Sequence, residues 1–524
     1  MQSALLAALL TAATLAAQPQ GVIEGQVVNT ASGAPVRKAA LHLSKDGGPS
    51  IDQDSDAEGR FRFTGLPPGG YRLSADHSGY FSQAYGARRY NSQGTLIQLS
   101  QDQQVSDIAL RLTPQGVIVG RVLDEDGDPL PDVSIQLFKM VYRNGKRSWG
   151  TTGGAMASDI GEFRLAKLEP GKYLVGVMPP PRVKSATSEG ARRKSETIAV
   201  PTYYPSALTE QSAVPIVVAA GAEIRGIEIH AVRVPTVHVS GAVSGIPEDA
   251  PRLDGSVVLL SEDGFASSPG ATVRAGRNEF EIRGVPAGQY TLRAVYNYGS
   301  SSWMVGYLPV SVGSESVSGL TVTLQGGFDL PGTVASVEAP GCAKTVSVGL
   351  SSAAPHQLNM NNGFAEAAPD GRLVIKGVLP GRYHVEADPP PGCFVQKVTY
   401  GGQEVPRDGI GIAGPAPLEV ILSSTAATIT GLVTDKDGKP VANASVALIP
   451  SDANAPTKST STNDAGSFTV DRLRPGAYQL LAWDAVEPGA WEDPEFRKPF
   501  EALAIEVKVG PGERQTAQLH VIEP

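Results

Sequence analysis

Phe61-Arg62-Phe63-Thr64-Gly65-Leu66-Pro67-Pro68-Gly69-Gly70-Tyr71 is the stretch whose reading decides the fold. In an extended strand successive side chains point to opposite faces, so Phe61 and Phe63 share one face. Pro-Gly then predicts a turn, because Pro presets φ and Gly accepts conformations closed to other residues. Tyr71, Leu73 and Ala75 resume the alternation on the returning strand. The segment reads as a β-hairpin with one apolar face.

The same interval recurs along the chain as Phe163–Tyr173, Phe280–Tyr290, Leu373–Tyr383 and Phe468–Tyr478. Gly stands two residues before every Tyr, at Gly69, Gly171, Gly288, Gly381 and Gly476. Pro68, Pro170, Pro380 and Pro475 stand three before it, with Ala287 as the exception. A second signature, Gly-x-Val, lies 46 to 53 residues upstream, at Gly25/Val27, Gly120/Val122, Gly241/Val243, Gly332/Val334 and Gly431/Val433. Turns such as Asp124-Glu125-Asp126-Gly127 and Asp435-Lys436-Asp437-Gly438 follow it. Closing strands such as Val105/Ile108/Leu110 and Ile224/Ile227/Ile229 end each copy. About seven strands per hundred residues is the mark of a sandwich. The reading is an all-β chain: a tandem array of five Ig-like or prealbumin-like β-sandwich domains after an N-terminal signal peptide. The repeats are placed at 20–113, 114–234, 235–325 (diverged), 326–424 (diverged) and 425–524. Joins such as Thr113-Pro114-Gln115-Gly116 leave almost no linker, which predicts a semi-rigid rod. The Ser/Gly/Ala-rich segment 182–200 is expected to be a solvated loop and the first site of proteolysis.

Composition agrees with several folded β domains. The 524 residues are 41% hydrophobic and 19% charged, with Gly 59 and Pro 41 in no three-residue period. The net charge of −9 argues against a phosphate-backbone partner, so no nucleic acid is expected. Ala4–Ala17 is an apolar run too short for a membrane span, and Thr14-Leu15-Ala16 fits small-residue cleavage. Residues 1–17 are therefore expected to be removed, leaving an exported chain with no membrane span, in the periplasm, at the outer envelope or outside the cell.

Sites for chemistry are missing from the pattern. His520-Val521-Ile522-Glu523 spells a zinc-ligand pair without the third ligand that a catalytic zinc needs. Gly409-Ile410-Gly411-Ile412-Ala413-Gly414 spells a dinucleotide fingerprint, but Pro415 and Pro417 forbid the helix that would hold the pyrophosphate. Asp52, Asp54 and Asp56 alternate as in a calcium loop, yet Ala57 and Phe63 stand where Gly and Glu are required. Asp56 aligns instead with Asp159 and Asp464 as a turn residue of the repeat. No catalytic residue, metal ligand or cofactor is assigned, and the chain reads as a non-enzyme.

Two features suggest function or stability. Cys342 and Cys393 both fall in repeat 4 and in an exported chain are expected to pair. The segments after the Tyr strands are rich in aromatics, including Tyr80, Tyr85, Tyr204, Tyr298, Trp303 and Trp491. Flat rings with polar edges suit sugars or a protein hot spot. Trp303 and Trp491 are expected to be exposed, and a glycan or an envelope or extracellular protein is the expected partner. Two functions follow: a structural and protein-interaction rod, or an array of carbohydrate-binding modules.

GQVVNTASGAPV at Gly25 with FRFTGLPPGGY, GRVLDEDGDPLPDV at Gly120 with FRLAKLEPGKY, and GLVTDKDGKPVANA at Gly431 with FTVDRLRPGAY resemble the carboxypeptidase regulatory-like domain. The resemblance implies a transthyretin-type β-sandwich and no chemistry, since this is the non-catalytic part of the enzymes it is named after. The array is similar to secreted or envelope proteins of Gram-negative-type bacteria.

Overall fold

Alternating apolar strands must bury one face against another sheet, and a computed structural model of the chain shows which strands do so. It describes residues 21–523 apart from 46–47, 88–89, 91–93, 144, 180–182, 187–194, 247–254, 262–268, 274–277, 298–302, 339, 344–345, 354–362 and 453–454. The expected signal segment and Tyr298 lie outside the described residues, as do Arg182, Arg192, Arg193 and Lys194 of the 182–200 segment. The chain divides into two compact units, one up to Gln115 and one from Gly116 onward.

The first unit shows the plan. Its strands are β1 (Gly21–Asn29), β2 (Ala40–Lys45), β3 (Ser50–Asp54), β4 (Arg60–Leu66), β5 (Gly69–Asp76), β6 (Gln83–Ala84), β7 (Ile97–Leu99) and β8 (Gln104–Leu112). One sheet has the order β4-β1-β8, with β4 antiparallel and β8 parallel to β1. The other is β3-β2-β5, with β6 and β7 both on the far edge of β5. Ile23, Val27, Phe61, Phe63, Ile108 and Leu110 of the first sheet meet Leu41, Leu43, Tyr71, Leu73 and Ala75 of the second in one core. Burying each large apolar side chain there is worth roughly 1.5–3 kcal/mol.

The plan repeats in the second unit. Gly116–Leu123, Arg233–Ser244, Phe328–Ser336 and Ala427–Thr434 each lie between an antiparallel Phe or Leu strand and a parallel closing strand. The described buried residues form five large clusters, one for each copy of the pattern, and two smaller ones.

The hairpin reading of the Pro-Gly stretch is corrected. The Phe strand pairs in one sheet and the Tyr strand in the other, so β4 pairs with β1 while β5 pairs with β2. The turn carries the chain across the gap between sheets, about 10 Å in a packed sandwich. A tyrosine corner holds it there. The Tyr71 hydroxyl donates to the Pro67 carbonyl at 2.7 Å, Tyr173 to Glu169 at 2.8 Å, Tyr290 to Pro286 at 3.0 Å, Tyr383 to Leu379 at 2.7 Å and Tyr478 to Arg474 at 2.7 Å. The hydroxyl satisfies a carbonyl that the turn takes out of the ladder, which explains why Tyr rather than Phe stands at the repeated position.

These corners predict an alkaline weakness. Burial raises the phenols of Tyr71 and Tyr173 and pushes Tyr478 up to about 12. A folded phenol raised above its unfolded value, about 10, contributes stability that is complete below pH 10. For Tyr478 that contribution is lost as pH rises from about 10 through about 12. Ultraviolet titration of tyrosinate should show a late-ionising class that collapses to ordinary behaviour in denaturant. Titration of every tyrosine near pH 10 in the native protein would refute the corners.

The Gly-x-Val glycines are explained by close approach. A Cβ at Gly25 would sit 1.9 Å from the Ile108 carbonyl oxygen, and at Gly120, Gly241 and Gly431 it would sit 2.2, 2.2 and 2.3 Å from the carbonyl oxygens of Ile227, Leu320 and Ala517. At Gly332 the corresponding distance, to Leu418, is 3.0 Å. The parallel closing strand runs directly over the glycine.

The 182–200 loop is also corrected. Val183–Ala186 pairs with Ser195–Ala199, which in turn pairs with Arg233–Ser244 of the following sheet. Ile198 is buried, so an apolar residue in this polar stretch anchors a strand.

Candidate functional site

The aromatic segments come first, because sequence placed the binding residues there. Tyr80 and Tyr85 are half-buried and pack against the first core, and the Tyr80 hydroxyl accepts from Asn29 Nδ2 at 3.2 Å. Tyr204 packs against the core of repeat 2, while its neighbour Tyr203 is buried with Phe138 and Leu174 on the outer face of the same Tyr strand. Trp303 is half-buried at the head of Trp303–Val312, which pairs along the whole of Gly288–Asn297. Trp491 is half-buried against the cluster around Trp483, and its carbonyl accepts from Arg497 at 2.7 Å. The expectation that Trp303 and Trp491 are exposed is therefore corrected. Segments that leave the sheet have few backbone partners, and burying rings is what fixes them.

In repeat 5 the aromatic segment becomes an interface. Residues 486–504 fold as short helical turns over the outer face of Gly476–Trp483, bringing Phe496 and Phe500 to 5.9 and 6.0 Å from the Trp483 ring. Tyr142, from Ser134–Arg143 of repeat 2, packs on Phe496 at 5.9 Å. Arg147 donates to the Tyr142 hydroxyl at 2.9 Å and stands 3.5 Å from Asp493. Lys139 lies 2.8 Å from Glu169 and 3.3 Å from Glu487. Burial pulls the Lys139 ammonium down, but the two carboxylates outweigh it and hold it above its ordinary value. Repeats 2 and 5 thus touch, which strictly end-to-end stacking would forbid. The rod expectation is corrected for the second unit.

A cleft of about 490 Å³ opens between repeats 4 and 5. One wall is Gly381–Asp388 with the start of Phe394–Tyr400, and the other carries Lys458, Arg472, Arg474 and Tyr478. Arg472 donates to Asp388 at 2.5 Å, and Arg474 bonds Asp452 at 2.9 Å and the Gln396 carbonyl at 2.7 Å. The Arg472–Asp388 and Arg474–Gln396 bonds tie the two repeats together at the mouth of the cleft, and Asp452 holds Arg474 from within repeat 5. Sequence reasoning missed this place, because its residues come from two repeats and form no motif.

The remaining motifs are structural. Asp56 accepts from the amides of Glu58 and Arg60, and its counterparts are Ser158 and Asn463 rather than Asp159 and Asp464. In all three the acceptor stands four residues before the N–H it serves, which shifts the alignment by one. Asp52 is held low by the Ser50 hydroxyl and His42. His520 lies exposed on Arg514–His520, with its ring 3.3 Å from the Thr434 hydroxyl. Among the described residues no group of three or more His, Cys, Asp or Glu could hold a metal ion, and no helix is long and apolar enough to cross a membrane.

Cys342 and Cys393 form a disulfide across 51 residues. Closing a loop of that size restricts the unfolded chain by about 4 kcal/mol in the chain-entropy account. The bond joins the turn after Phe328–Ser336 to the residue preceding Phe394–Tyr400, and both strands belong to one sheet.

No curated protein matches the chain. Among solved structures, the TIE protein of Bacillus anthracis is 12% identical over 59% of this chain and 51% of its own, at a TM-score of 0.18, so the chain spans about half its length. The minor pilin GBS52 of Streptococcus agalactiae is 14% identical over 41% of this chain and 97% of its own, at 0.22. The major pilin subunit BcpA of Bacillus cereus is 12% identical over 58% of this chain and 99% of its own, at 0.17. The family description that matches is the carboxypeptidase regulatory-like domain, over residues 22–112 and 428–492. Those residues span the sandwich of the first unit and, in repeat 5, the strands from Ala427–Thr434 through Gly476–Trp483 with the turn after them. The chain is a β-sandwich protein whose residues 22–112 and 428–492 match the carboxypeptidase regulatory-like domain.

Proposed function

We propose that the chain is an exported, non-catalytic protein of five β-sandwich repeats, 20–113, 114–234, 235–325, 326–424 and 425–524, that serves as a structural and protein-interaction scaffold. The observation that carries this reading is the use of the aromatic segments. Tyr80, Tyr85, Tyr204 and Trp491 pack against cores, and Tyr142 and Phe496 join repeat 2 to repeat 5. A carbohydrate platform needs rings open to a sugar face, whereas these rings fasten segments and repeats. The disulfide supports an oxidising compartment, as does the apolar run Ala4–Ala17.

A glycan array on the full chain, beside fractionation of cells that express it, tests both parts. The expected result is no saturable saccharide binding and a processed chain in the envelope or medium. Saturable glycan binding lost in Trp491→Ala would replace this reading with the carbohydrate-binding one. An unprocessed cytoplasmic chain would overturn export.

A further inference from the structure

The five Tyr strands differ in how their outer edges are filled. In the first unit β7 pairs with Gly69–Tyr71 and β6 with Ser74–Ala75. In repeat 2, Ile216–Val218 and Thr202–Tyr203 divide the edge in the same way. In repeat 3, Trp303–Val312 fills it from Gly288 to Asn297. In repeat 5, Ile505–Val509 fills the first half, and Ile522 bonds Ala482 and Asp484 beyond it. In repeat 4, Ile410–Ile412 pairs only with Gly381–Tyr383, and among the described residues no strand pairs with this edge from His384 to Asp388.

The route of the chain differs at the vacancy. In repeats 1 to 3 a segment that follows the Tyr strand pairs with the far half of its edge. In repeat 4, Cys393 is bonded to Cys342, and Phe394–Tyr400 pairs instead with Leu418–Ser423 in the opposite sheet. The segment that would have filled the edge is diverted.

The open edge forms one wall of the cleft between repeats 4 and 5. The Arg382 carbonyl is taken by Ala353, on the side of Ser347–Ser352. Alternation therefore turns the N–H and C=O of His384 and Glu386 to that side and those of Val385 and Ala387 to the cleft. Five open residues offer about 16 Å of strand and up to four backbone hydrogen bonds. Phe394, Val395, Val398 and Leu473 supply apolar surface beside it. Among the acidic groups, Asp388 is held by Arg472 and Glu386 accepts from Ser351, leaving Glu404 at one end. Lys397 and Lys458 face the cleft with no ion pair among the described residues.

We infer that repeat 4 binds a short extended segment of a partner protein by strand addition along His384–Asp388, with an acidic side chain of that segment between Lys397 and Lys458. Exposed strand edges are normally paired, covered or blocked, and extended peptides bind them through main-chain bonds. The inference rests on the interaction reading above, but the glycan array decides that reading independently.

The probe is a blocked heptapeptide alternating valine with aspartate and threonine, labelled for anisotropy and added to the full chain. Saturable binding below millimolar is expected, with amide exchange at Val385 and Ala387 slowed at least tenfold at saturation. A version N-methylated at alternate amides should not bind. Val385→Pro removes a cleft-facing donor, together with a half-buried side chain beside the core, and should weaken binding at least tenfold. Should that variant misfold, the N-methylated peptide still decides the matter. Equal binding of the two peptides, unchanged exchange at Val385 and Ala387, or no binding at millimolar probe would overturn strand addition. Equal binding of a lysine-for-aspartate probe would overturn the acidic occupant.

Discussion

Gly25→Val is expected to unfold the first unit while leaving the second intact. The new Cβ would lie 1.9 Å from the Ile108 carbonyl oxygen, 2.7 Å from its carbonyl carbon and 2.9 Å from its Cβ. Two of these atoms are backbone, so no rotamer change relieves the clash. Relief requires β8 to separate from β1, and their parallel pairing runs from Val22 to Asn29. Ile108, Leu110 and Leu112 would leave the core with it. Ordinary overpacking costs about 1–3 kcal/mol, and loss of a closing strand exceeds that. A small domain has only about 5–15 kcal/mol in total. Calorimetry should show the transition of the first unit lost, and proteolysis should degrade residues up to about 115 first. Gly313→Ala is the control, since a Cβ there meets nothing within 4 Å. A Gly25→Val protein that melts within two degrees of the parent would refute the close-approach account.

Trp483→Ala should be the most destabilising change in repeat 5. The ring is fully buried between the Tyr strand and the 486–504 segment. Truncating a buried Trp costs about 3–5 kcal/mol. Its Nε1 has no hydrogen-bond partner among the described residues, so removing it returns part of a desolvation penalty of about 1–3 kcal/mol. The net effect remains a loss. Because Phe496 touches both Trp483 and Tyr142, the variant should also loosen repeat 2 from repeat 5. Denaturant unfolding should shift to a lower midpoint, and residues 486–504 should become the first site of cleavage. A wild-type midpoint with 486–504 still protected would show that the segment is held by other contacts.

The strands and their inward faces were legible because period-two alternation is local. Phe61 and Phe63, or Tyr71, Leu73 and Ala75, declare their shared face without knowledge of any partner. The destination of a turn is not local. Pro67–Gly70 reads as a hairpin because Pro-Gly specifies a reversal, yet the reversal joins two sheets and depends on a hydroxyl reaching back four residues. The invariant Tyr was the available signal for that bond. The cysteine pair was legible from its count and its place within one repeat. The aromatic segments were visible by composition, but composition does not distinguish a ring offered to a ligand from one laid on a strand. The open edge at His384–Asp388 had no motif, because it is defined by a strand that went elsewhere.

The parallel pairing of the first and last strands has a mechanical consequence. In the first unit the chain enters at the start of β1 and leaves at the end of β8, at opposite poles of the sandwich. Tension on the two ends therefore pulls these neighbouring strands past each other along their length. The hydrogen bonds from Val22 to Asn29 are loaded together in shear, instead of opening one at a time as in a peeled hairpin. Each repeat built this way, with its glycine letting the two backbones close up, resists stretching at the seam where its own ends meet.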